Sequence, residues 1–321
     1  NIKVYRCASF GTYLSMPISI VFFFYLFFFS RKANTIHFHE PFPLGSIGSL
    51  LIPKSKYIFV TWHSDIIKQK YIKKFFEFFQ KKLCNKAVNI ISTSDNLIEF
   101  SSILKLFKKK VVTIPLSLDI NAYKGHIAYT QNNTLSENLP NDYILFLGRF
   151  SYYKGIFVLL EAIEKIDESI PFVIVGNGEL HKEILDKVRS SKKNITLIDK
   201  FISEDEKKYL IQKSKFMVFP SIFSSEAFGI IQLESMIYGK PVINTNLPTG
   251  VPWVSLDGES GLTVSINNKN ELADAIIKLY NDSELYKKLS IGAKERINKL
   301  FLSEVANKKL YELYFENSKI F

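Results

Sequence analysis

Glu226-Ala-Phe-Gly-Ile-Ile-Gln-Leu-Glu234 sets two carboxylates eight residues apart around a glycine, between Val218-Phe219-Pro220-Ser221 and Tyr238-Gly239-Lys240-Pro241. An apolar run that stops at a proline reads as a strand. Ile230 to Met236 reads as a helix that Gly239 closes and Pro241 forbids from continuing. The stretch is therefore a strand-to-helix turn. Two helical residues at this spacing lie roughly 80° apart around the axis, so Glu226 is expected in the loop and Glu234 on the helix behind it. The N–H groups near Phe228, Gly229 and Ile230 open that helix without intrahelical partners, where the positive dipole end attracts phosphate. A hydroxyl-rich ligand carrying phosphate suits such a turn.

Two further loops repeat the unit. Tyr143 to Leu147 reads as a strand, followed by Gly148-Arg149-Phe150-Ser151-Tyr152-Tyr153-Lys154-Gly155 and the helical pattern Ile156, Leu159, Leu160, Ile163. Two cations in one such loop can neutralise an anion that a second loop's amides hold. Phe172 to Val175 is a third strand, followed by Gly176-Asn177-Gly178-Glu179 and another helix. Strand, glycine-bearing loop and helix in succession predict an α/β chain whose doubly wound sheet binds ligands at its carboxyl edge.

These residues, with Thr61-Trp62-His63-Ser64-Asp65 and Ile114-Pro115-Leu116-Ser117-Leu118-Asp119, resemble the nucleotide-sugar glycosyltransferases of family 4. The family has the GT-B fold, two Rossmann-like doubly wound domains facing a cleft. The segments from His63 to Lys70 and from Thr249 to Trp253 are most similar to a bacterial branch that includes mannosyltransferases of surface-polysaccharide synthesis. The resemblance implies a retaining, metal-independent hexosyltransferase that needs no cofactor. Its co-substrate is a nucleoside-diphosphate sugar, with GDP-mannose favoured, and its acceptor a lipid-linked or growing glycan.

By the same resemblance, Arg149 and Lys154 grip the donor diphosphate. Glu226 hydrogen-bonds the donor sugar and Glu234 the ribose. Phe228, Gly229, Ile230 and Gly176 line the donor, and the backbone of Lys200, Phe201 and Ile202 holds the base, although Asp199 stands where glycine is frequent. His63 reaches the sugar from the amino domain across the cleft. Singly, each has a plainer reading: a solvated cation, a first-turn carboxylate, a polar-face glutamate, a core histidine, or a glycine that a turn needs. Their coincidence in the right loops is what points to a site. A sugar-nucleotide binder without transfer activity and a GT-B phosphorylase or epimerase are the alternatives.

A chain of 321 residues, 47% apolar and 23% charged, suffices for two cores. The expected division is an acceptor-side domain at 1–141, a donor domain at 142–299 and a carboxyl-terminal helix at 300–321 that crosses back. The polar stretch Asn121 to Asp142 is the expected linker. The family's first strand, glycine-rich loop and helix have no counterpart before the opening residues, so a truncated amino-terminal domain is expected.

The net charge of +11 is unevenly spread: residues 1–140 hold 18 Lys+Arg against 7 Asp+Glu, and the remainder 24 of each. Lys68, Lys70, Lys73, Lys74, Lys81 and Lys82 flank Phe75, Phe76, Phe78 and Phe79, with Lys108-Lys-Lys110 following. A basic, Phe-rich helix reads as lying on an anionic membrane surface; the plainer reading buries the phenylalanines under a solvated lysine face. No RNA-binding motif or recognition helix accompanies the charge, so nucleic acid is not expected as a partner. The apolar run Ile18 to Phe29 is shorter than a span requires and runs into the strand-like Thr35-Ile-His-Phe-His39, as a buried helix-to-strand step does. Cys7 and Cys84 make no disulfide framework. His37 and His39 face one side of a strand without a third metal ligand in sequence. The expected location is cytoplasmic, peripheral on the inner face of the plasma membrane.

Overall fold

The computed structural model describes residues 2–13, 16–66, 70–124 and 139–318. The chain divides into two compact units: one runs through Ile114 and resumes at Lys308, the other is Pro115–Asn307.

In the first unit a two-stranded antiparallel ladder, β1 (Thr12–Tyr13) and β2 (Met16–Pro17), precedes α1 (Val21–Lys32). A four-stranded parallel sheet follows in sequence order: β3 (Thr35–Glu40), β4 (Tyr57–Trp62), β5 (Asn89–Ser92) and β6 (Val111–Thr113). Helices α2 (Pro43–Gly48), α3 (Lys70–Lys86) and α4 (Asp95–Phe100) fill the connections. Ile58, Val60 and Trp62 of β4 join Leu83 and Cys84 of α3 in the core, and Phe59 of β4 is also fully buried. This near-continuous apolar strand is what a parallel sheet covered on both faces requires.

Helix α1 differs from the expected buried step. Ser30 alone is buried on it, while Phe24 and Phe28 are 60% and 59% exposed. A helix apolar all round has no polar face to turn outward, so whatever side is left unpacked is apolar. Among the described residues no helix is long and apolar enough to cross a membrane. On α3, Phe76 is buried, but Phe75 and Phe78 are 55% and 54% exposed beside exposed Lys74, Lys81 and Lys82. The plainer reading, with every phenylalanine inside, does not hold there. Lys68 lies outside the described residues.

The second unit is a six-stranded parallel sheet. Its strands are β7 (Ile144–Leu147), β8 (Phe172–Val175), β9 (Ile195–Ile198), β10 (Phe216–Phe219), β11 (Val242–Thr245) and β12 (Gly261–Val264), in spatial order β12-β11-β10-β7-β8-β9. Counted from β7 this is the 3-2-1-4-5-6 order of a dinucleotide-binding sheet, reversing between β7 and β10. Alternate residues of β7 enter opposite cores. Ile144 and Phe146 pack with α5 (Ile156–Ile163), α6 (His181–Ser190) and α10 (Lys269–Asn281). Tyr143, just before the strand, and Leu145 pack with α7 (Glu204–Lys213), α8 (Ile230–Met236) and α9 (Val251–Val254). Helix α11 (Ser283–Arg296) gives Leu289 to the first core and Ala293 to the second.

The division at Ile114 corrects the expected boundary at 141. Leu118 bridges to Leu302, donating its N–H to the Phe301 carbonyl at 2.8 Å and accepting from Ser303 N at 2.9 Å. Leu116 and Tyr123 pack on the same core, so the segment before the polar stretch already belongs to the second unit. Of the expected linker, residues 125–138 lie outside the described residues. Helix α12 (Ser303–Ser318) starts in the second unit and, from Lys308, belongs to the first.

Candidate functional site

Where strand order reverses, the loops leaving the two central strands part and open a crevice at their carboxyl ends. The loops concerned are 148–155, after β7, and 220–229, after β10. Ile222 N donates to the Tyr153 carbonyl at 2.8 Å and Thr245 Oγ1 to the Ser221 carbonyl at 2.5 Å, pinning the second loop to the first and to the end of β11. At this point the Lys154 ammonium meets the Glu226 carboxylate in a close ion pair, to which Ser221 Oγ adds a long contact of 3.4 Å. The two side chains are 15% and 12% exposed. A pair so far out of water is costly to break by removing one partner. Lys154 therefore holds Glu226 in place at this turn.

Glu234 sits on α8 behind this pair and is buried, not on an exposed polar face. Its Oε1 accepts from Lys207 Nζ at 3.0 Å and Tyr123 OH at 3.2 Å. Lys207 also meets Glu204 at 2.8 Å; burial works against its charge, but its bonds to Glu204 and Glu234 prevail and raise its pKa. Burial, then the Glu234 charge, push the Tyr123 and Tyr238 phenols up, so both stay protonated. The other oxygen, Glu234 Oε2, is buried without a hydrogen-bond partner among the described residues, and so is the hydroxyl of Tyr238. An unpartnered buried carboxylate oxygen carries the full cost of its lost hydration, and a ligand hydroxyl would recover it.

The remaining expected residues fall as follows. Arg149 is mostly exposed and pairs through Nε with Glu179 at 3.2 Å. Gly176 lies where the loops after β7 and β8 touch: a Cβ there would stand 1.9 Å from the Gly148 carbonyl oxygen. Close backbone packing thus accounts for this glycine without a ligand. Phe228 is buried, Gly229 holds the left-handed conformation (φ 77°) that starts α8, and Ile230 is 47% exposed. Lys200 and Phe201 are exposed, the latter at 94%, while Ile202 packs partly on the core. The departure at Asp199 is structural, because its carboxylate meets His181 Nε2 at 2.8 Å and its carbonyl accepts from Asn177 Nδ2 at 2.8 Å. The bond to His181 is the main reason its pKa is lowered.

His63, in the first unit, directly follows β4, and its Nε2 lies 3.0 Å from His39 Nδ1. The ring of His39 stacks on that of His37, whose Nε2 lies 2.7 Å from Thr61 Oγ1 and whose Nδ1 meets the hydroxyl of Tyr314 on α12. Burial, then the neighbouring imidazoles, hold His37 down at about 4; His63 is lowered by burial and His39, and His39 by burial. The third histidine completes a row, but among the described residues no group of His, Cys, Asp or Glu is arranged to hold a metal ion.

Sequence reasoning missed Lys207, Tyr123 and Tyr238, the surroundings of Glu234. A lysine one turn into α7 carries no distinguishing pattern, and Tyr123 lay inside the stretch read as linker.

The family described as "Glycosyl transferases group 1" matches residues 130–296. The chain is also 30% identical to the O-antigen chain mannosyltransferase C of Escherichia coli over 84% of this chain and 72% of that protein. It belongs to the glycosyl transferases group 1 family. The D-rhamnosyltransferase WbpZ of Pseudomonas aeruginosa is 31% identical over 85% of this chain and 71% of its own length. Among solved structures, this glycosyl transferase is similar to Anabaena HepE, crystallised with UDP, at a TM-score of 0.76, with 17% identity and coverage of 92% and 82%. It is also similar to the sucrose-phosphate synthase of Thermosynechococcus elongatus, at 0.73, with 20% identity and coverage of 95% and 82%. These likenesses show the fold, which is GT-B.

Proposed function

We propose that the protein moves a hexose from a nucleoside-diphosphate sugar to a lipid-linked or growing glycan of a bacterial surface polysaccharide, with retention at the anomeric carbon. Mannose, from GDP-mannose, is the favoured donor sugar, in line with the mannosyl- and rhamnosyltransferases it is similar to. The observation that carries this reading is the ion pair of Lys154 and Glu226 at the strand-order reversal, with the unpartnered oxygen of Glu234 on the helix behind.

The arriving diphosphate takes over the Lys154 charge, with Arg149 beside it, and frees the Glu226 carboxylate to accept from the sugar's hydroxyls. Glu234 Oε2 accepts from a ribose hydroxyl, and Phe201 lies beside the base. The acceptor oxygen then bonds to the anomeric carbon on the face the diphosphate leaves. The breaking C–O bond's electrons go to the phosphate oxygen, which takes the acceptor's proton. Charge growing on that oxygen is met by cations already in place, which is the role a divalent ion otherwise fills. His63 contributes a contact to the sugar.

For the acceptor, Lys74, Lys81 and Lys82 surround exposed Phe75 and Phe78 on α3. That combination suits an anionic bilayer surface and supports a peripheral place on the inner face of the plasma membrane. The test is transfer and donor hydrolysis across a panel of sugar nucleotides with excess chelator present. Turnover of one guanosine- or uridine-diphosphate hexose, unaffected by chelator, is expected. Activity that vanishes with chelator and returns with magnesium or manganese contradicts the charge assignment, and binding without turnover leaves a sugar-nucleotide-binding protein.

A further inference from the structure

Beside the donor loops, the second unit holds a cavity that the reading above does not use. Its volume is about 520 Å³, within the range of roughly 300–1,000 Å³ typical of small-ligand sites. Tyr152, Phe157 and Ile222 give it apolar walls, and Glu161, Lys187 and Asn267 a polar rim. Tyr152, which lines it, meets the ring of Phe223 outside the lining, with centroids 5.9 Å apart and planes inclined at 47°; the two residues are 59% and 49% exposed. Two aromatic rings left in water at adjacent loop tips cost free energy that a flat, partly apolar ligand would recover.

The cavity draws Tyr152 and Ile222 from the two loops that carry Lys154 and Glu226. Tyr152 and Lys154 belong to one helical turn, and the Phe223 carbonyl accepts from Glu226 N at 2.9 Å. The charges in the cavity cancel, with one carboxylate from Glu161 and one ammonium from Lys187; Glu161 also meets Lys269 at 2.9 Å. A phosphate or nucleotide gains nothing from such a lining. A pyranose fits it, because the ring presents C–H groups on its faces and hydroxyls around its rim. The aromatic faces take the first, and the carboxylate, ammonium and amide take the second. Asn267 reaches the cavity from a backbone at φ 61°, a conformation uncommon outside glycine that asparagine tolerates.

We propose that this cavity is a glycan subsite that seats a neutral hexopyranose of the acceptor chain next to the reacting sugar. The assignment rests on the glycosyltransferase reading above. It adds that the donor-binding unit itself grips part of the acceptor. Asn267→Gly is the cleanest probe, since glycine suits the backbone there and removes only the amide; Phe223→Ala and Tyr152→Ala remove the platform.

The test is calorimetric titration of the full chain and each variant, in parallel, with mannotriose, with maltotriose and with GDP or UDP. At least one trisaccharide should bind wild type and lose tenfold or more in affinity in Phe223→Ala and Asn267→Gly, while nucleoside-diphosphate affinity stays unchanged. If neither trisaccharide binds wild type, or if the variants bind it equally well, the subsite is wrong even with donor binding and transfer intact. If trisaccharide binding follows the variants but no sugar nucleotide is turned over, the transferase reading fails and the subsite stands.

Discussion

The two units handle charge in opposite ways. The second unit, residues 115–307, sets 22 cations against 24 anions, and at the strand-order reversal the pairing is individual: Lys154 with Glu226, Lys207 with Glu234, Arg149 with Glu179. The first unit, residues 1–114 and 308–321, holds 20 cations against 7 anions, with a sheet whose strand order never reverses and helices that expose Phe24, Phe28, Phe75 and Phe78. Paired charge, nearly dry at Lys154 and Glu226, suits a ligand that exchanges partners with it. Unpaired charge beside exposed aromatic rings suits a surface rather than a pocket. Breaking either pattern should therefore leave the other unit's task intact.

The largest effect is expected from Glu226→Gln. It removes the negative charge and turns one of the two oxygens proposed to accept from the sugar's hydroxyls into a donor, and should lower transfer by about 10²–10³-fold, the scale seen when one stabilising group is lost from a site. Nucleoside-diphosphate affinity should not fall. It should rise somewhat, because Lys154 no longer has to leave a carboxylate to meet the phosphates. Parallel kinetics and calorimetry decide, and equal loss in both would sink the exchange of partners at Lys154.

Next comes the other unit. Replacing Lys73, Lys74, Lys81 and Lys82 by Gln should weaken binding to anionic vesicles by up to ~4 kcal/mol, at about 1 kcal/mol per cation near the surface. Lys73 should contribute least, since Glu77 lies 3.7 Å away. High salt should imitate the quadruple change. Phe75→Ser with Phe78→Ser should remove the part that salt leaves behind. Hydrolysis of soluble donor should be spared in both. Co-sedimentation at two salt concentrations is the measurement, and pelleting that no change affects would return the lysines to an ordinary solvated face.

Glu234→Ala should weaken nucleoside-diphosphate binding by about 1–3 kcal/mol, the cost of a ligand hydroxyl and Lys207 losing their acceptor. If a deoxyribose analogue binds wild type as tightly as the ribonucleotide, Glu234 Oε2 is not the ribose acceptor. Unlike Glu226→Gln, this change should act on binding more than on the chemical step.

What the sequence disclosed divides along the same line. Helix α8 was legible to the residue, because Gly239 and Pro241 end it by backbone geometry that no tertiary contact overrides. The three strand-loop-helix units were equally plain, being local. The ion pair of Lys154 and Glu226 joins residues 72 positions apart, and the bond from Tyr123 to Glu234 spans 111. Both depend on strand order, which periodicity does not reveal. The misplaced boundary has the same origin: Leu118 looks like a terminus of the first unit until its pairing with Leu302 is seen. The exposure of α1 was hidden for a different reason, since an all-apolar helix carries no pattern to say which side faces out.

The remaining effect, on folding rather than on ligands, should appear in the histidine row. His37 is held down from 6.5 to about 4, so between those values the unfolded chain binds a proton that the folded first unit refuses. Its contribution to stability is complete above pH 6.5 and lost progressively as the pH falls toward 4. Facing it are His39 from its own strand, His63 and Thr61 from the neighbouring strand and its end, and Tyr314 from α12. None of them offers a carboxylate to hold the proton, and burial keeps Tyr314 neutral. His37→Gln carries no titrating group, so its loss of stability between pH 6.5 and 4 should be shallower than that of wild type. The carboxylates common to both proteins cancel in the difference. Urea unfolding of the two proteins across this range measures it, and parallel curves would mean that His37 accepts its proton in the folded state as readily as in the unfolded one.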